Sequence, residues 1–334
     1  MRLWKIIATA TVVEVACGAA SAAVLGLFAG SNSWLDLFNQ LAPLWFGLCI
    51  LAAPSAALLI RPGAGRSVVT GLAIVGALIS GAAVLPEMAA SIGSAFGHSR
   101  GVEKPLRIVT FNTWSDNTDP DLVVKRVRDA DPDAAALIEM SWLLHHTKLK
   151  ALSDKYPFRT PARHGCPQDE VLISKRPFTA FGCQITFAPS KPDLMQTVVW
   201  GRTTAPDGRP FTLATTHYAW PFPHGGQEMQ IPVLAKFVRD HGSEDMILTG
   251  DFNLTPWSHT LQDQDRRMRP LTRRDHAIFT WPAMIARVNR PAPVAVLPID
   301  HIYAGSAWRT VRMDRLARAG SDHYGILATF SRRP

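Results

Sequence analysis

The sequence predicts an α+β domain of packed mixed sheets with helices outside, preceded by three membrane-spanning helices. Three observations predict it. Through Arg100 the residues are almost purely apolar and small, whereas beyond that point charges, prolines and short alternating segments appear at ordinary globular density. The start of the second region alternates strand-like with helix-like runs. Its later part strings short strands between Pro, Gly and Asp turns, and such a mixture of βαβ units and hairpins buries its apolar faces as stacked layers. The 334 residues accordingly divide into a three-helix anchor over 1–96, a linker over 97–105 and a globular domain over 106–334.

The apolar stretches cover residues 6–29, 37–60 and 67–85. Each is close to the roughly 20 residues that cross a bilayer core. A secretory signal has a shorter apolar core and no further spans behind it, so all three are expected to remain. Arg2 and Lys5 precede the first stretch and Arg61 and Arg66 lie in the second connection, while the first connection holds Asp36 and no basic residue. Basic flanks stay on the cytoplasmic side, which puts the N-terminus inside and, after three crossings, the large domain outside, in the periplasm of a two-membrane bacterium.

The formal net charge is +8, and only five of the 35 Lys and Arg precede residue 101. A mildly basic domain is attracted to phosphate-bearing substrates or an anionic membrane surface, or is only kept soluble by that charge. No run of Lys and Arg is interleaved with aromatics, so charge alone does not argue for nucleic acid. Cys166 and Cys183, the two cysteines beyond the spans, flank an apparent hairpin. A disulfide fits an oxidising compartment, and two buried thiols fit nearly as well.

Within the globular part, strands are predicted over 106–111, 134–138, 170–174, 180–187, 196–203, 211–217, 246–249 and 324–330, with helices over 121–129, 142–152 and 228–240. Residues 256–297, rich in Arg and Pro, read as long surface loops around short elements.

Function is carried by polar residues that immediately follow apolar strands, where a rigid strand aims a side chain and the loop beyond leaves room for a ligand. They are Asn112, Glu139, His217, Asp251, Asn253, Asp300, His301, Asp322 and His323. In Gly250-Asp251-Phe252-Asn253 the glycine permits close backbone approach and the two polar side chains at alternate positions point the same way, although an Asx-turn has the same appearance. Glu139, at the end of an apolar run, suits a hard divalent cation that takes carboxylate oxygens, with a salt bridge as the plainer use. A histidine that trades protons near neutral pH needs a carboxylate to fix its tautomer, and Asp300 with His323 supplies such a pair.

The ordered series Phe111-Asn112, Glu139, Thr216-His217, Gly250-Asp251-Phe252-Asn253, Ile299-Asp300-His301 and Ser321-Asp322-His323 resembles that of the endonuclease/exonuclease/phosphatase superfamily. The resemblance runs over about residues 105–332. It implies a four-layer α/β sandwich and hydrolysis of a phosphoester assisted by Mg²⁺, with Mn²⁺ as a substitute. By the same resemblance Glu139 is the main metal ligand, with Asn112 beside it and Asp322 near a second metal; Asp251 activates the attacking water; Asn253 binds phosphate; and His217 and His323, the latter held by Asp300, share the acid and base work. His301 is not shared by all members. Ile138, where many members have Gln, and the segment Gly165-Cys166-Pro167-Gln168-Asp169-Glu170 depart from the pattern.

The expected protein is a membrane-tethered phosphodiesterase or phosphomonoesterase whose partners are the bilayer and a phosphoester: a phospholipid, a nucleic acid or a small phosphate ester. The alternative is a non-catalytic membrane protein that binds a phosphorylated ligand through the same fold.

Overall fold

The computed structural model describes residues 2–95, 103–141, 143–160, 166–167, 169–188, 191–222 and 226–333. Most of the predicted linker, together with Trp142, Gly165 and Gln168, lies outside the described residues. Two compact units divide the chain, Met1–Ala89 with Thr255–Asp263, and Ala90–Leu254 with Gln264–Pro334. The first unit takes in the nine-residue stretch Thr255–Asp263 along with the apolar helices.

In the first unit the helices are α1 (Arg2–Gly26), α2 (Asp36–Gln40), α3 (Ala42–Leu59) and most of α4 (Ala64–Ala95), whose last turns from Ala90 belong to the second unit. Three segments, Leu3–Gly26, Ala42–Leu59 and Ala64–Gly93, are long and apolar enough to cross a membrane. The second predicted stretch is broken at Leu41, with Pro43 just inside the start of α3, where its missing N–H costs nothing. Small residues let the helices close up: a Cβ on Gly76 would lie 2.6 Å from Cys49 Sγ and 2.9 Å from the Ala20 Cα. Asp36, nearly fully buried, accepts the backbone N–H groups of His259 and Thr260 at 2.8 and 2.9 Å, and Gln40 accepts that of Thr255 at 2.9 Å.

The second unit is built on two six-stranded mixed sheets. Its elements in chain order are β1 (Leu106–Asn112), α5 (Pro120–Ala130), β2 (Ala134–Ile138), β3 (Phe158–Arg159), β4 (Val171–Ser174), β5 (Ala180–Ala188), β6 (Lys191–Thr204), β7 (Pro210–His217), α6 (Gly226–His241), β8 (Met246–Asp251), α7 (His259–Arg267), β9 (Thr272–Arg273), β10 (Met284–Ile285), β11 (Arg290–Pro291), β12 (Asp300–Ala304), β13 (Trp308–Arg315) and β14 (Ile326–Arg332), with α7 beginning in the other unit. One sheet runs β13-β14-β1-β2-β4-β3, and the other β5-β6-β7-β8-β12-β9. Period-two alternation decides what each face touches. Leu106 and Ile108 of β1 join Leu213, Ile247 and Ile302 in the core between the sheets, while Val109 and Phe111 turn outward to meet Val123 and Val127 of α5. On the other side α6 packs on β5 and β6, which completes the layer order helix, sheet, sheet, helix.

Two expectations differ in detail. Residues 142–152 are wound as a π turn (Leu144–Lys148) followed by a 3-10 turn (Leu149–Leu152), with Leu144, Leu149 and Leu152 still buried against α5. Residues 256–297 hold α7, a short edge strand and the β10–β11 hairpin. The cysteine question has one answer in the structure, a Cys166–Cys183 disulfide.

Candidate active site

Each sheet contains one parallel pair, and the polar residues follow those pairs. In the first sheet β1 runs parallel to β2 with Asn112 opposite Ile138, so that Asn112 and Glu139 emerge side by side. In the second, β7 runs parallel to β8 with His217 opposite Asp251, and antiparallel β12 places Asp300 opposite the same aspartate. The turn after β8 depends on Gly250, where a Cβ would stand 2.3 Å from the Thr216 carbonyl oxygen. Glu139 and Asn253 both have positive φ, at 51° and 50°, in the left-handed region that costs a non-glycine residue energy and concentrates at functional sites.

Asn112 joins the two sheets. Its amide NH₂ donates to Glu139 Oε1 at 2.8 Å and to Asp251 Oδ2 at 2.9 Å, and its oxygen accepts the Trp114 N–H at 3.0 Å. In this conformation the Asn112 amide braces two carboxylates, one from each sheet. His217 Nε2 lies 3.2 Å from Glu139 Oε1 and 3.7 Å from Asp251 Oδ2. His323 Nδ1 is 2.9 Å from Asp300 Oδ2, and its Nε2 is 3.5 Å from Asp251 Oδ2. Ser321 sets the last loop, donating to the Asn112 carbonyl at 2.8 Å and accepting the His323 N–H at 2.9 Å. Asn253 donates from its side chain to the Tyr218 carbonyl at 2.9 Å and from its backbone to Asp251 Oδ1 at 3.0 Å.

Burial and charge act together on these groups. Burial raises the Asp251 carboxyl to about 6, with His323 and His217 pulling it down and Asp300 and Glu139 pushing it up. Burial opposes a charge on His323, but the carboxylates of Asp300 and Asp251 outweigh it and raise the imidazole to about 10, so the ring is a cation at neutral pH. Asp322 is also raised, chiefly by burial.

The donor set fits a hard divalent cation. Glu139, His217 and Asp251 offer ligand atoms within 4.8 Å of one another, as do Asp251, Asp300 and His323. One oxygen each of Asp300 and Asp322 is buried without a hydrogen-bond partner, and a cation among these carboxylates would relieve both the repulsion and the missing contacts.

The sequence profile of the endonuclease/exonuclease/phosphatase family matches residues 109–323, which contain every one of these groups. This chain belongs to that family. Family members of known structure share the fold at low identity. The human Nocturnin catalytic domain, with bound sulfate, is 17% identical over 70% of this chain and 96% of its own, with a TM-score of 0.54. D. rerio TDP2, complexed with a single-strand DNA product, is 18% identical over 69% of this chain and all (100%) of its own, with a TM-score of 0.55. A mannosyl-6-phosphatase of Bacteroides thetaiotaomicron is 15% identical over 67% of this chain and 99% of its own, with a TM-score of 0.51. A search of the curated proteins found no match.

The structure therefore brings Asn112, Glu139, His217, Asp251, Asn253, Asp300, Asp322 and His323 to one end of the two sheets. His301 lies apart. It is fully buried, with Nδ1 2.6 Å from Asp275 Oδ2 and Nε2 2.7 Å from the Leu254 carbonyl, and so ties down the chain beyond Asn253. Three residues had no signal in the sequence. Trp281 donates its indole N–H to Asp322 Oδ2 at 3.1 Å. Asp275 pairs with His301, and Glu170 is a fully buried acid hydrogen-bonded to the Thr197 hydroxyl. Trp257, close in sequence to Asn253, is buried and donates its indole N–H to the Gln40 carbonyl at 3.1 Å.

Proposed function

We propose that this chain is a membrane-anchored hydrolase of phosphoesters that works with a divalent cation, Mg²⁺ or in its place Mn²⁺, on the outer side of the membrane. The observation that carries the reading is the convergence of Glu139, His217, Asp251, Asp300 and His323, drawn from both sheets, around one buried position. Glu139, with Asp322 nearby, would hold the cation, which supplies positive charge to the phosphoryl oxygens when bound.

The protein's own groups do the rest. Asp251, oriented by the Asn253 N–H and the Asn112 amide, accepts a proton from the attacking water; a carboxylate near 6 is a better base than an ordinary one and is still ionised at pH 7. His323, kept protonated by Asp300, faces the developing negative charge on the phosphoryl group and is placed to return a proton to the leaving oxygen. His217 offers a second imidazole beside Glu139, and the second N–H of the Asn253 amide would donate to a phosphate oxygen.

Anchoring is supported by the three apolar helices, and an outward domain by the basic flanks of the spans and by the Cys166–Cys183 bridge. The test is full-length protein in detergent against bis(4-nitrophenyl) phosphate and 4-nitrophenyl phosphate with Mg²⁺. Chelation should abolish turnover, and Glu139→Ala should lower it at least about 100-fold. Turnover that survives both would overturn the site. A periplasmic reporter fused after Arg100 should be active, and silence there would reverse the orientation.

A further inference from the structure

We propose that the rim of this site is an interfacial surface seated among lipid head groups, and that the substrate is an amphiphilic phosphoester whose chains remain in the bilayer while its phosphoryl group enters the site. The proposal rests on the phosphoesterase reading and deepens it.

The first support is where apolar surface is left open. Among the described residues from 103 to 333, eight large apolar side chains are exposed, and six of them sit on two segments beside the site. Trp220 and Phe222 follow β7, and Ile285, Val288, Val294 and Val296 lie on the excursion from 281 to 297 that carries the β10–β11 hairpin. Val288 is 58% exposed, Val294 61% and Phe222 66%, which is a concentration of apolar surface that a water-soluble domain seldom leaves uncovered. Arg287 and Arg290 are exposed among them, so the excursion combines aliphatic side chains with cations suited to phosphate head groups.

The second support is continuity with the chemistry. Trp220 packs edge-on against Trp281, with ring centroids 5.5 Å apart, and Trp281 is the residue whose indole N–H donates to Asp322. The excursion is closed at its base by the Trp281–Leu297 bridge and tied to the site by the Ala283 N–H donating to the Asp322 carbonyl at 2.6 Å. A Trp with one wet and one apolar side is the residue type that settles at a membrane interface.

The third support names the occupant. Ser91, in the last turns of α4, donates its hydroxyl to the Ala277 carbonyl at 3.3 Å, four residues before Trp281 and within the same compact unit. Ser91 lies within the span that ends at Gly93, so the excursion's own unit includes the last turns of an apolar helix long enough to cross a bilayer, and with Arg287 and Arg290 among the aliphatic side chains the occupant this surface suits is that bilayer.

The experiment uses the full chain in phosphatidylcholine nanodiscs doped in turn with radiolabelled phosphatidic acid, phosphatidylglycerol and sphingomyelin, with bis(4-nitrophenyl) phosphate and single-stranded DNA as soluble substrates, all with Mg²⁺. Wild type should hydrolyse at least one of the lipids. In the double variant Val288→Asp/Val294→Asp, and separately in Trp220→Ala, the ratio of lipid to soluble turnover should fall ten-fold or more. A ratio within two-fold of wild type in both variants, or a wild type that cleaves only soluble diester or DNA, overturns the proposal. Soluble turnover that is lost on Glu139→Ala in the same preparation shows that the site reading survives such a failure; soluble turnover indifferent to Glu139→Ala shows that the site reading itself has failed.

Discussion

Replacing Glu170 with glutamine should remove most of one pH-dependent loss of stability. The carboxyl is fully buried at the start of β4, and burial raises it from 4.5 to about 7 against the opposing pull of the Thr197 hydroxyl and His217. An acid whose folded pKa lies above its unfolded value binds a proton on folding, so its contribution is fully present below 4.5 and is lost as pH rises through 7. At 1.36 kcal/mol for each pKa unit, the step from 4.5 to about 7 is worth about 3 kcal/mol. Glutamine keeps an oxygen for the Thr197 hydroxyl and cannot ionise. Thermal melts of full-length wild type and Glu170→Gln in detergent, followed by near-ultraviolet circular dichroism, should nearly coincide at pH 4.5. They should separate by about 6–12 °C at pH 8.5, with the variant more stable. Other titrating groups are common to both proteins and cancel in the difference. Melting temperatures that keep a constant gap across that range would refute the reasoning.

Three further outcomes follow from the same geometry. His323→Ala should lower kcat by about 100-fold or more, since it removes the protonated partner of Asp300, and steady-state kinetics on a nitrophenyl ester would show it. Breaking the Cys166–Cys183 bridge with Cys166→Ser/Cys183→Ser, which opens a link across a separation of 17 residues, should cost about 3 kcal/mol in urea unfolding. Asp36→Ala takes the acceptor from two N–H groups at the start of α7, and a loss of about 1–2 kcal/mol should appear as faster hydrogen exchange at His259 and Thr260.

What the sequence made legible was the local part of the problem. The runs ending at Asn112, Glu139, His217 and Asp251 are uncharged over their inner residues and buried on both faces, and a polar residue closing such a run has little reason to be there unless it serves the loop beyond. The region 256–297 was opaque because its order comes from far away: α7 starts where Asp36, 223 residues earlier, caps His259, and the 281–297 excursion is tied to Asp322. The strand Trp308–Arg315 escaped notice because it is an edge, with Arg309 and Arg312 facing solvent and a register shift between Thr310 and Arg312 that breaks the alternation. Periodicity found a buried helical face over 142–152 but not its winding, since the spacing of Leu144, Leu149 and Leu152 suits a π turn run into a 3-10 turn. The orientation of the Asn112 amide had no sequence signal at all, because it is set by two carboxylates that only the fold brings within reach.

That single amide has a wider meaning. Glu139 belongs to one sheet and Asp251 to the other, and Asn112 is the stitch between them. The proposed chemistry therefore lies on a seam, and its alignment is only as good as the grip of the interleaved aliphatic side chains behind it. A slide of one layer over its neighbour by a fraction of a residue would leave every strand intact and yet part Glu139 from Asp251, so on warming any phosphoesterase activity should fall silent before the fold comes undone.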